Sequence, residues 1–245
     1  YKYPEYFLDR NNKSKHDDYF FKNAIYSMSS VPGRELNIPI IANQQSKIKH
    51  KLYIPNTYKR FNHKYNKKIA SHSNVSMSDW TENDPGPILK LLGPLSDNSL
   101  DDKTIIIVGD DDVMHNISDI NKLYNHVKKY PKVIAQADPL SDNSKKNLGI
   151  HGSNGFALRK DICSAEKLKS FQLHDCIKVD DALLTAFFQY CNIPIVGVPV
   201  SPKFRNGLTD VNRLVSLKRK NEHDTCVKAI QKNYNFNVDC TNCIL

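Results

Sequence analysis

The stretch Thr104–Asp112, TIIIVGDDD, decides how the rest of this chain is read. Ile105, Ile106, Ile107 and Val108 are four consecutive β-branched apolar residues, the pattern of a strand buried on both faces. The strand ends in one glycine and three carboxylates, Asp110, Asp111 and Asp112. Open α/β sheets bind ligands at the carboxyl ends of their strands, so an acidic cluster here is placed to hold a cation and whatever the cation carries. A solvated acidic turn is the competing reading, and the surrounding chain weighs between the two.

Upstream, AIYSMS from Ala24 to Ser29 suits a first strand, which runs into the turn Ser30-Val31-Pro32-Gly33-Arg34 and then a helix from Glu35 to Gln45. Lys51–Ile54 reads as a second strand, Pro55–Lys68 as a basic, tyrosine-rich loop and Asn74–Ser78 as a third strand. A helix starting at Pro85 or Pro87 has one apolar face made by Ile88, Leu89, Leu91, Leu92 and Leu95. Downstream, the apolar spacing of Ile117, Ile120, Leu123, Tyr124 and Val127 predicts a helix over Ile117–Lys129, and Lys132–Gln136 a further strand. Alternating strands and helices imply a largely parallel sheet with helices on both faces. The second half opens on a glycine-rich loop, Gly149–Gly155, and continues with a strand at Phe156–Arg159 and a helix capped by Asp161. Asp180-Asp181 then leads an apolar helix, Ala182–Cys191. Ile193–Val200 reads as an edge strand, and a last helix is expected at about Glu222–Lys232.

The chain has 245 residues, a formal charge of +9 and a pI near 9.1. That charge suggests an anionic partner, whether nucleic acid, a membrane surface or a phosphorylated small molecule. Much of it sits in the runs Lys47–Lys51, Lys59–Lys68 and Lys218–Lys220, which as solvated faces need no partner. The heavy use of Lys, Asn, Ile, Asp and Tyr fits an AT-rich coding genome and accounts for part of the lysine excess. No apolar run approaches the roughly 20 residues that span a bilayer, so a soluble chain is expected. It begins at Tyr1, which leaves room for a removed leader, anchor or upstream domain. The six cysteines are scattered through apolar segments, which predicts no disulfide framework and a reducing, cytoplasm-like compartment. Cys240 and Cys243 form a lone CxxC with no second pair to complete a zinc site.

SSVPGR after the first strand, NDPGPILKLLGPL, IIIVGDDD, GSNGFALRKD and CIKVDDALLTAFFQYCNIPI follow one another in the order and at about the spacing of a GT-A type nucleotide-sugar glycosyltransferase. The chain most resembles soluble viral, protist and bacterial members with DxGPxxKLLG, DDD and CxxxDD motifs, over roughly Ile25 to Val200. The resemblance implies a single Rossmann-like α/β domain spanning 1–245, its mostly parallel central sheet flanked by helices. Residues of about 20–115 would form the nucleotide-sugar half, and about 116–245 the acceptor half and tail. It also implies a manganese or magnesium ion bridging the diphosphate of a UDP-linked donor. By the motif match Asp110 and Asp112 are the DxD pair, Asp112 the direct ligand and Asp110 facing the ribose or a ligand water, with Asp111 left open. His223 is the candidate for a further metal ligand from the carboxyl-terminal segment.

On the same footing Asp181 is the expected base, with Asp180 orienting the acceptor; the reverse assignment and a bare helix cap stay open. Pro32 and Arg34 match the turn that lines the nucleotide pocket, where a guanidinium suits phosphate or a base edge. Asp84 and Lys90 stand at the fixed positions of DxGPxxK, the lysine facing the diphosphate and Asp84 or Asp79 reading the base. Gly152–Gly155 would let backbone approach the donor sugar. Lys218, Arg219 and Lys220 would close over the diphosphate, while Trp80 would stack on a ligand or pack in the core. The acceptor is a glycan, protein or other hydroxyl compound, and no nucleic acid is expected. The alternatives are a sugar nucleotidyltransferase, which normally shows a glycine-rich, lysine-bearing loop near the first strand, and a basic nucleic-acid-binding module, for which no aromatic-basic platform speaks. A phosphatase or mutase would carry its acidic cluster after the first strand.

Overall fold

The computed structural model describes residues 21–58, 61–62, 64–138, 149–171, 176, 179–201, 208 and 218–234. Seven strands form one sheet in the order β3-β2-β1-β4-β6-β5-β7. They are β1 (Ala24–Ser29), β2 (Lys49–Pro55), β3 (Val75–Trp80), β4 (Ile105–Val108), β5 (Ile134–Asp138), β6 (Phe156–Arg159) and β7 (Ile195–Pro199). All pairings are parallel except those of β6, which runs antiparallel to both β4 and β5. The helices are α1 (Asn37–Gln44), α2 (Leu89–Ser96), α3 (Ile117–Lys129), α4 (Ala165–Phe171), α5 (Asp180–Tyr190) and α6 (Lys218–Tyr234). This is the mostly parallel, Rossmann-like α/β sheet flanked by helices that the sequence leads one to expect.

Each strand feeds two cores because successive side chains point to opposite faces. On one face Ile25, Ile106, Val108, Phe156 and Leu158 pack against α2, α4, α5 and α6, with Leu91, Phe171, Phe187 and Ile230 among the buried side chains. On the other face Tyr26, Met28, Ile105, Ile107 and Ala157 pack under α1 and α3, against Ile38, Ile41, Ile120 and Val127. The four-residue apolar run of β4 is therefore split two and two between the cores, and all four residues are buried. α2 begins as a short 3-10 turn, Gly86–Ile88, in which Gly86 adopts φ 76°, a conformation open to glycine.

The expectation of no disulfide is corrected by a Cys176–Cys226 bond across a sequence separation of 50. It ties the segment just before α5 to the middle of α6, where both sulfurs are buried. The two cysteines meet because distant segments pack together, a proximity that spacing along the chain does not reveal. The argument for a reducing compartment falls with it. Cys163 and Cys191 are free, while Cys240 and Cys243 lie outside the described residues, as do the side chains of Lys218, Arg219 and Lys220. Among the described residues no helix is long and apolar enough to cross a membrane.

Candidate functional site

Strand direction gathers three loops at one edge of the sheet. β1 and β4 are parallel neighbours with Ser27 beside Val108, so the turn after β1 and the acidic loop after β4 leave the sheet side by side. β6 runs the other way with Phe156 opposite Val108, so the loop that precedes it, Gly152–Gly155, arrives at that same edge. Gln136 on β5 holds this loop in place: its side-chain amide donates to the carbonyls of His151 and Gly155, and its oxygen accepts from the His151 N–H.

The amino-terminal turns of α2 and α5 complete the site. Lys90, on α2, is only 2 % exposed. Its ammonium donates to Asp110 Oδ1 at 2.6 Å and stands 2.7 Å from Asp180 Oδ2, a close ion pair whose angles are not those of a hydrogen bond. Asp181 Oδ1 accepts the Gly152 N–H at 2.8 Å. A Cβ on Gly152 would overlap Lys90 Nζ and lie 2.8 Å from Asp181 Oδ1, so glycine is what gives the lysine its place. Thr185 joins the same parts from below, donating to the Asp181 carbonyl and accepting the Ile150 N–H, each at 2.8 Å. The acidic clusters at Asp110 and at Asp180-Asp181 thus stand within reach of one ammonium, on one side of the sheet.

Charge is distributed unevenly among these groups. Burial works against the Lys90 ammonium, but Asp110, Asp180 and Asp181 hold its pKa well above the ordinary lysine value. Burial would raise Asp110, yet Lys90 holds it below the usual carboxylate range. Burial pushes Asp181 up to about 7, with Asp180 and Asp110 adding to the rise and Lys90 and the Gly152 N–H opposing it. Two adjacent aspartates therefore differ in kind: Asp180 holds the lysine, and Asp181 has the proton affinity of a group that works near neutral pH.

The other two carboxylates of the DDD loop belong to the turn after β1. Asp111 accepts from Ser30 Oγ at 2.6 Å and from Arg34 Nη1 at 2.8 Å, while its carbonyl accepts from Asn37 Nδ2 at 2.9 Å. Burial lifts Asp111 to about 6 against the opposing pull of Arg34 and Ser30. The same Arg34 nitrogen lies 3.4 Å from Asp112. Gly33 makes this turn possible with φ 95°, and the Tyr58 hydroxyl donates to the Ser30 carbonyl at 2.8 Å, bringing the tyrosine-rich loop onto the turn.

Beneath the acidic loop runs a buried polar chain. Gly109 leaves room for the Tyr26 hydroxyl, which donates to His115 Nδ1 at 2.7 Å, while His115 Nε2–H points to the Ser153 carbonyl at 3.3 Å. Gln45 donates to the His115 carbonyl and accepts from His50 Nε2–H, both at 3.0 Å. His50 Nδ1 accepts from Asn74 Nδ2 at 3.3 Å. His115 thereby links the DDD loop to the Gly152–Gly155 loop. Sequence reading passed over it, along with Ser30 and Thr185; the one available signal was a histidine three residues after the acidic run.

Other expected residues fall as follows. Pro32 is buried in the turn, and Asp84 is buried with its carboxylate accepting the Gly86 N–H at 2.8 Å, where it shapes the start of α2. Asp79 is exposed and ion-paired with Lys67. Trp80 packs into the core with its indole N–H donating to Asn83 O, as the plainer of its two readings has it. His223 is buried on α6 with neither ring nitrogen hydrogen-bonded; its Nδ1 lies 3.8 Å from Asp224, and no ion pair joins it to the DDD loop among the described residues. Lys90, expected to face a diphosphate, is ion-paired here with Asp110 and Asp180.

Among the described residues no group of three or more His, Cys, Asp and Glu is arranged to hold a metal ion. The donor set that remains fits magnesium or manganese, which bind through one or two carboxylates and complete their shell with substrate phosphates and water. Asp112 and the second oxygen of Asp110 are the candidates.

No family description and no curated protein matches the chain by sequence. Among solved structures it is similar to 4-diphosphocytidyl-2C-methyl-D-erythritol synthase from Anaerococcus prevotii, at 14 % identity and a TM-score of 0.47, over 87 % of this chain and 97 % of that one.

Proposed function

We propose that this chain is a metal-dependent transferase acting on a nucleotide-linked substrate, and more narrowly a glycosyltransferase that moves a sugar from a UDP-type donor to a hydroxyl acceptor with inversion. The observation that carries this reading is the meeting of the two acidic clusters around Lys90. Asp181 takes the proton of the attacking hydroxyl: its affinity is near neutral, and one of its oxygens is fixed by the Gly152 N–H. Arg34 and Ser30 hold the DDD loop in shape through Asp111, and Arg34 also stands 3.4 Å from Asp112. A divalent ion held by Asp112 and Asp110 would neutralise the charge that develops on the departing diphosphate.

The second reading is a sugar nucleotidyltransferase. It would use the same edge of the sheet and the same ion, but a phosphate nucleophile needs no base, which leaves Asp181 without a task. Its usual glycine-rich, lysine-bearing loop is not met by SSVPGR. One experiment separates the two. Each nucleotide sugar is offered with manganese and released nucleotide is measured, and in parallel each nucleoside triphosphate is offered with sugar 1-phosphates and pyrophosphate is measured. Nucleotide release from a UDP-sugar supports glycosyl transfer, and pyrophosphate alone replaces that reading with the second. Neither product, together with no calorimetric binding of UDP with manganese, refutes both.

A further inference from the structure

The lysine at the centre of the site has a role that a phosphate contact does not describe. Its ammonium is almost wholly buried and lies 2.6 Å from a carboxylate on the loop after β4 and 2.7 Å from a carboxylate on the first turn of α5. The backbone that carries it is fixed as well, because Ser27 Oγ on β1 donates to the Lys90 carbonyl at 2.6 Å. The missing side chain of Gly152 supplies the space the ammonium occupies. An ammonium has three N–H groups and no freedom here to reach a distant ligand, so whatever draws on one of its carboxylates is felt by the other.

We propose that Lys90 is a positioning residue that couples the two halves of the site, so that occupation of the DDD loop by a donor sets the carboxylate pair of α5 that receives the acceptor. The inference rests on the reading of Asp110 as a donor-side group. A ligand that competes for Asp110 shifts the lysine toward Asp180 and firms the turn on which Asp181 stands. Removing the Asp180 charge leaves Lys90 committed to Asp110, which lowers the availability of that carboxylate to a cation. Coupling is reciprocal, so it is measurable from the donor side without knowing the acceptor.

The test is a double-mutant cycle on the binding of UDP with manganese, read by calorimetry. Asp180→Asn weakens binding about tenfold, or about 1.4 kcal/mol, although Asp180 is not on the donor loop. In a Lys90→Met background the same substitution changes binding by less than about twofold, and Lys90→Arg, which also spans two carboxylates, restores the Asp180 effect. An equal Asp180 effect in both backgrounds, or none in the wild type, overturns the proposal. Should Lys90→Met fail to fold, Lys90→Gln takes its place. A second cycle needs no nucleotide: Asp110→Asn and Asp180→Asn are combined and unfolded in denaturant. Non-additive losses support the bridge, and strictly additive losses overturn it. A wild type that binds no UDP with manganese but shows this non-additivity refutes the functional reading and leaves the bridge standing.

Discussion

His50 gives the fold an acid-sensitive joint. It is 1 % exposed on β2, and burial, with His72 acting in the same direction, lowers its pKa to about 4 against an opposing contact to the Ile48 backbone. In the neutral ring Nε2–H donates to Gln45 and Nδ1 accepts from Asn74, so the added proton would set one donor against another. The folded pKa lies below the unfolded value of about 6.5, so the unfolded chain binds the proton more readily. The stabilisation is therefore complete above pH 6.5 and is lost as pH falls toward 4. The full difference of about 2.5 pKa units amounts to about 3 kcal/mol, of which about 2 kcal/mol is lost between pH 7 and pH 5. Urea unfolding of the wild type and of His50→Gln at pH 7, 6 and 5 measures it, because carboxylates titrate alike in the two proteins and cancel in the difference. The stability gap between them should narrow or reverse by about 2 kcal/mol toward pH 5. A gap that stays constant across the series would refute the account of His50 as a neutral buried imidazole.

Three further outcomes follow from the geometry. Gly152→Ala should cost about 2 kcal/mol in denaturant, because the new methyl displaces Lys90 Nζ from between its carboxylates, and a neutral result would mean that the ammonium has other room. Ser30→Ala removes a hydrogen bond to a buried carboxylate and should destabilise by about 2 kcal/mol while raising the Asp111 pKa further; a thermal midpoint equal to the wild type would contradict the tie drawn between β1 and the DDD loop. Cys226→Ser opens a loop of 50 residues and should cost about 4 kcal/mol on the chain-entropy account, with faster hydrogen exchange in α6; unchanged exchange there would show that packing alone docks the helix.

The sheet could be read in advance because its strands carry strong local signals. The ranges expected for β1, β4, α3 and β6 coincide with those observed, since each is bounded by turn residues and has a clear period. Boundaries differ by one to four residues where the pattern is ambiguous: β2 extends over Lys49–Pro55 around the expected Lys51–Ile54, α5 takes in Asp180 and Asp181, expected just before it, and α6 starts at Lys218 rather than at about Glu222. The direction of β6 was not legible, because a four-residue strand fits either orientation and the choice is made by its neighbours. Partners were less legible still. Lys90, Asp110 and Asp180 could each be named as candidates from motif position, but their joining brings α2 together with two elements 20 and 90 residues further along the chain. The Cys176–Cys226 bond and the Tyr26–His115 contact are hidden for the same reason, as long-range contacts between segments with no local mark.

The antiparallel strand also decides where the chain tolerates a change of length. A residue inserted between Asn98 and Ser99 lengthens an exposed turn at the far end of β4 and leaves the strand pairing alone. One inserted between Gly155 and Phe156 is different, because Phe156 is pinned opposite Val108 and Gly155 fits against His115 with φ 83°. The extra length would either bulge toward Lys90 and Asp181 or slip β6 by one residue, which sends Phe156 and Leu158 from one core to the other. Insertion scanning across the two connections should therefore give opposite profiles, permissive before β4 and intolerant before β6.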